Sequence, residues 1–116
     1  MKLIIGGAYQ GKLTWAAETF QLAPEDLWDL AQGDPVPGKK CYYHLEALTR
    51  RCEDWARYLP LFADAVVIGR EIGSGVVPLD PVDRAWRERH GTALRCLARE
   101  ADQVTRIFCG LPEVLK

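Results

Sequence analysis

Residues 6–12, Gly6-Gly7-Ala8-Tyr9-Gln10-Gly11-Lys12, fit the first seven positions of the phosphate-loop pattern G-x-x-x-x-G-K-[ST]. The chemistry of such a loop is anion binding. Glycines let the backbone curl until successive N–H groups point at phosphate oxygens, and the helix that starts there adds the positive end of its dipole. Lys12 would bring a mobile positive charge to the β and γ phosphates. The eighth position departs from the pattern. It should hold a hydroxyl that ligates Mg²⁺, and here it is Leu13. Thr14 follows, but one residue further turns it by about 100° around a helix. The loop therefore predicts binding of ATP or GTP through residues 6–14, with the Mg²⁺ contact weakened. The same glycines could instead make a merely structural turn.

Other residues could do chemistry at the same edge. Asp29 ends a short apolar run, where an acid can hold Mg²⁺ through water or simply cap a turn. Glu71 lies just past a second apolar run, placed to accept a proton or hydrogen bond from a substrate hydroxyl, or to pair with an arginine. Gly73 and Gly75 would let backbone approach a ligand closely, or make a tight turn. Six arginines stand between Arg84 and Arg106. Arg84 and Arg87, nearest the start of that stretch, could contact an anionic substrate, against the alternative of a solvated helix face. His90 falls on an apolar stripe and reads as a packed histidine, and His44 as a surface or packing one. Cys41, Cys52, Cys96 and Cys109 include no Cys-x-x-Cys pair and read as reduced thiols.

The elements that must position these residues follow from periodicity. Leu3-Ile4-Ile5 reads as a buried strand entering the glycine loop. Leu13, Ala16, Ala17 and Phe20 give a helix through about Leu22, stopped by Pro24. Leu27 to Leu30 is a weak second strand, and Gly33 to Gly38 a loop. Leu45, Leu48, Cys52, Trp55, Ala56 and Leu59 predict one helix from about Cys41 to Leu59, stopped by Pro60. Ala65 to Gly69 is a strand, Glu71 to Pro78 a loop. A helix follows, with Pro81 near its start and a stripe through Trp86, His90, Ala93, Leu94, Leu97 and Ala101. Val104 to Cys109 is the last strand, closed by Gly110 and Pro112. Strands alternating with helices predict an α/β fold with a small, mostly parallel sheet of about four strands and flanking helices. Both glycine loops then fall at strand ends, where such sheets bind ligands.

Composition sets the outer bounds. A chain of 116 residues, 48% apolar and 27% charged, is one globular domain over 1–116. A net charge of −1 provides no field to attract nucleic acid, and no apolar run is long enough to span a membrane. The short apolar run before Gly6 is no secretory signal, so the expected location is cytoplasmic.

The second half of the chain carries a family resemblance. Glu71-Ile72-Gly73-Ser74-Gly75-Val76-Val77-Pro78 resembles the E-V-G-x-G-I-V-P segment of the bifunctional adenosylcobinamide kinase/adenosylcobinamide-phosphate guanylyltransferases, which act late in cobalamin assembly. Arg84 to Gly91 is similar to their R-x-F-R-D-x-x-G, and Leu97 to Val104 to their L-A-x-x-A-D-E-V. Gly110 to Lys116 resembles their G-x-x-x-x-x-K, and the first loop their G-G-A-R-S-G-K-S. These segments keep their order over about residues 1–20 and 65–116. The family's guanylylated histidine, in an R-I-x-x-H-x-x-R setting, has no matching position. His44 sits in Tyr43-His44-Leu45-Glu46, without the arginines. The resemblance implies a RecA-like P-loop sheet and phosphoryl transfer from a nucleoside triphosphate to adenosylcobinamide, with Lys12 and Glu71 in the catalytic positions. It also implies a corrinoid as second ligand and a homo-oligomer. The departures at Leu13 and at the histidine motif support a second reading, a catalytically impaired relative that binds nucleotide or corrinoid as a regulatory or scaffold protein.

Overall fold

A computed structural model describes residues 1–72 and 80–116. Its centre is β1 (Lys2–Gly6), whose apolar residues alternate between two buried faces. β1 pairs in parallel with β4 (Val66–Arg70) on one side and with β5 (Gln103–Phe108) on the other. Outside β4 lie β3 (Cys41–Tyr43) and then β2 (Leu27–Asp29), also parallel. β6 (Leu111–Val114) closes the opposite edge, antiparallel to β5. The order is β2-β3-β4-β1-β5-β6. The fold is thus the α/β, mostly parallel arrangement that alternating elements predicted.

The sheet divides the core in two, because successive strand residues point to opposite faces. Leu3, Tyr42, Val67 and Val104 face one side, where α2 (Leu45–Arg51), α3 (Leu59–Phe62) and α4 (Pro81–Glu100) cover them with Leu45, Leu48, Phe62, Ala93 and Leu97. Ile4, Cys41, Val66, Ile68 and Ile107 face the other, covered by Ala16, Leu13 and Trp15 of α1 (Lys12–Thr19). Burial on that second face pushes the Cys41 thiol up to about 12, so it stays protonated and inert. α4 begins with a full signature: the Asp80 carboxylate caps the Val82 N–H at 2.8 Å and Pro81 takes the first position.

Three expectations need correction. The helix expected over 41–59 is three pieces. Cys41–Tyr43 is a strand, His44 turns with φ 63°, and α2 occupies only 45–51. A single 3₁₀ turn at Trp55–Tyr58 then leads into α3. The apolar spacing persists across the breaks because both short helices lie on the same sheet face. Pro60 stands in the first turn of α3, where its missing N–H costs nothing, and does not stop a helix. The first helix ends at Thr19, not Leu22, since Gln21 adopts φ 54° before Pro24 begins a 3₁₀ turn. The sheet holds six strands where about four were expected; β3 and β6 are the additions. β6 follows a two-residue turn in which Cys109 (φ 52°) and Gly110 (φ 74°) both take positive φ, the geometry that matches strand twist in a tight hairpin. Pro112 is tolerated because β6 is an edge strand.

Candidate functional site

β1 to β5 are parallel, so their carboxyl ends lie along one edge of the sheet, and the glycine loop leaves β1 at that edge. Gly6 is held there by contact: a Cβ would lie 2.6 Å from the Ile107 carbonyl oxygen. Tyr9 takes φ 59° with its side chain fully exposed, and Gly11 caps α1 at φ 84° with no side-chain cap. Ala8 and Tyr9 form a tight turn, and among the described residues no backbone amide from Gly7 to Thr14 makes a well-formed hydrogen bond to a protein acceptor. Ala8 to Thr14 line a cavity of about 360 Å³. Backbone N–H groups without strong partners at a helix start suit an anion.

Lys12 belongs to this cavity. Its Nζ donates to the Gly7 carbonyl at 2.6 Å, which folds the side chain back over the loop. Burial holds its amine below the ordinary 10.5; Arg70 adds to that, while Glu46 and Glu71 oppose it. Gln10 braces the loop from behind. Its carbonyl accepts from Gly110 N–H at 3.0 Å and its Oε1 from Cys109 N–H. Leu13 packs into the core face under α1, and Thr14 is exposed on the first turn; both border the cavity.

The far wall was not foreseen. Tyr43 arrives from the end of β3, His44 from the turn after it and Glu46 from the first turn of α2, and Ile68 and Arg70 come from β4. The His44 Nδ1 hydrogen bonds to Asp29 Oδ1 at 2.7 Å. The Arg70 N–H donates to Glu46 Oε1 at 3.0 Å. Recognising residues 41–43 as a strand would have brought these side chains to the ligand edge, but a three-residue strand leaves too short a trace to read.

A second cavity, of about 500 Å³, opens on the other side of the loop between Gly7, Gln10, Glu71, Ile72, Arg106 and Phe108. Glu71 lies here; its N–H donates to the Gly6 carbonyl at 2.8 Å and its carboxylate accepts from Arg106 Nε at 3.3 Å. The two cavities share Gln10 and border the same loop. Arg84 and Arg87 border neither; they stand on the first turns of α4, which pack toward α2. Gly73 and Gly75 lie outside the described residues. His90 is fully buried, as its stripe predicted, between Thr49 Oγ1 at 2.8 Å and the Arg70 carbonyl at 2.7 Å.

Among the described residues, the loop offers no ready set of metal ligands. The hydroxyl position is Leu13, and Asp29 Oδ1 already accepts from His44 and from the Ala31 N–H at 2.9 Å. Among the described residues, no three His, Cys, Asp or Glu side chains converge. Among the same residues, no helix is long and apolar enough to cross a membrane.

The strand order, the glycine loop leaving the central strand and the lysine that opens α1 define a RecA-like α/β domain of the P-loop type. Residues 39–115 match the cobinamide kinase / cobinamide phosphate guanyltransferase family, and the chain belongs to that family. The match runs through 39–64, where the quoted motifs leave a gap, and it stops short of the loop at 6–12. No curated protein matches the chain.

Proposed function

We propose that the protein binds a nucleoside triphosphate at the first loop and transfers its γ-phosphoryl group to a hydroxyl of adenosylcobinamide. The observation that carries this reading is the run of amides from Gly7 to Thr14, none of them well bonded to a protein acceptor, beside Lys12. The amides would hold the inner phosphates, and Lys12 would bridge toward the outer ones. The adjoining cavity at Glu71 would take the acceptor, whose hydroxyl oxygen attacks the γ-phosphorus as the bond to the bridging oxygen breaks. Glu71, steadied by Arg106, would accept the hydroxyl proton. Phosphoryl transfer is mostly positioning and charge stabilisation, so two cavities meeting at one loop suit it.

The guanylyl step is not part of this proposal, since no histidine stands in the family's arginine-flanked motif. Leu13 favours one further reading, nucleotide or corrinoid binding without turnover, because phosphoryl transfer leans on a metal that this loop holds poorly. We place the protein in the cytoplasm, and a homo-oligomer could form through Phe108, Leu111, Val114 and Leu115, which are exposed along the β6 edge.

Thermal unfolding with ATP, GTP and the corresponding diphosphates, with and without Mg²⁺, tests these readings. A nucleotide at a hundred times its dissociation constant adds about 2.7 kcal/mol. Lys12→Ala should reduce that gain. Stabilisation strengthened by Mg²⁺, together with transfer of labelled γ-phosphate to adenosylcobinamide, supports the kinase. Stabilisation indifferent to Mg²⁺ and without transfer supports the non-catalytic reading. No stabilisation by any nucleotide rejects both uses of the loop.

A further inference from the structure

We propose that Arg70 is a second cation of the phosphate site, gripping the terminal phosphoryl group opposite Lys12 and so favouring a nucleoside triphosphate over a diphosphate. This rests on the reading of the first loop as a nucleotide cradle.

The placement is fixed by the backbone. Arg70 ends β4, in register with Gly6 at the end of β1, so it stands beside the point where the loop begins. Its peptide groups are held on both sides. The Arg70 N–H donates to Glu46 Oε1 at 3.0 Å, and the Arg70 carbonyl accepts from His90 Nε2 at 2.7 Å. His90 is itself fully buried and hydrogen bonded to Thr49. A carbonyl can only accept, so Nε2 carries the proton and Nδ1 accepts from the Thr49 hydroxyl. The next residue, Glu71, donates its N–H to Gly6. Four contacts thus pin the root of the Arg70 side chain relative to the loop.

The head of that side chain is uncommitted. Arg50, Arg51, Arg89 and Arg106 each hold a carboxylate. Among the described residues, the Arg70 guanidinium has no such partner, and it borders the cavity that holds Lys12 and the loop. The proximity registers in Lys12, whose amine is lowered by burial and also by the Arg70 charge. Two cations facing one cavity repel each other until an anion comes between them. Glu46 lines the same cavity and opposes an anion; its Oε1 is held against the Arg70 N–H, which fixes where that charge stands. Loop amides take the inner phosphates, and Lys12 reaches the β and γ groups. A planar guanidinium entering from the adjacent strand end then meets the remaining γ oxygens, which it can grip with two parallel N–H donors.

Calorimetric titration of ATP and ADP into wild type, Arg70→Met, Arg70→Lys and Lys12→Ala, each with and without Mg²⁺, tests the assignment. Arg70→Met should weaken ATP about 10- to 100-fold, the range of a charge-assisted contact, and ADP much less. Arg70→Lys should recover part of the loss, and Lys12→Ala should weaken both nucleotides. Only the exposed end of Arg70 is changed, so circular dichroism should show folded variants; Arg70→Lys carries the test if Arg70→Met does not fold. Arg70→Met binding ATP as wild type does, or losing ATP and ADP equally, overturns the assignment while Lys12 dependence leaves the cradle standing. Failure of wild type to bind any nucleotide overturns both.

Discussion

His44 Nδ1 and Asp29 Oδ1 lie 2.7 Å apart, joining the carboxyl ends of two neighbouring strands. The same oxygen accepts the Ala31 N–H, so one carboxylate fixes both the imidazole and the turn after β2. The first role of Asp29 is therefore architectural. Asp29→Ala should cost about 1–2 kcal/mol in urea unfolding, the loss of two hydrogen bonds from a partly buried acceptor. Asp29→Asn, which keeps an acceptor oxygen, should leave the Mg²⁺ response of nucleotide binding unchanged. A lost Mg²⁺ response in the Asn variant would instead assign the carboxylate to the ion.

Leu13 occupies the position where the loop pattern requires a hydroxyl. Leu13→Ser should make nucleotide affinity more dependent on Mg²⁺ than in wild type, read by titration with the ion and with a chelator. It should also lower stability by about 2–3 kcal/mol, because a leucine packed in the α1 face is removed. Equal Mg²⁺ dependence in both proteins would show that the hydroxyl position is not where the metal contact is decided.

Gly6→Ala should be severe. The added carbon would meet the Ile107 carbonyl at 2.6 Å, a contact with backbone that no rotamer change can relieve. A loss of more than about 2 kcal/mol is expected, as for other steric insertions next to a packed strand. An alanine variant with wild-type stability would mean that β1 and β5 part more easily than their register suggests.

Burial holds the His90 imidazole below its ordinary 6.5, the Arg70 carbonyl and Glu46 pulling the other way. The unfolded chain then binds a proton at His90 that the folded chain does not, so stability falls as pH drops below 6.5. His90→Gln removes this site, and its stability should vary less than wild type over that window. Parallel pH profiles for the two proteins in urea unfolding would reject the assignment.

Much of this was legible in the residues, for stated reasons. β1, β4 and β5 are buried on both faces and carry dense apolar runs, which fixed them as parallel core strands. The glycine–lysine spacing located the loop, and the Pro81 and stripe signals located α4. Three residues of β3 could not outweigh a strong helical stripe that two short helices share. Consequently Glu46 and Arg70 stayed hidden, since their meeting depends on β3 lying beside β4. Arg84 and Arg87 rested on charge and on the family resemblance, and they stand in the first turns of α4.

The first loop is a local pattern with a distant support. Gln10 accepts hydrogen bonds from Cys109 and Gly110, and Gly6 is seated against Ile107. The curvature of this short motif is therefore completed only when the other end of the polypeptide docks. A peptide spanning the glycines and lysine would keep the letters and lose the shape, and a defect in the distant hairpin would be felt in the loop.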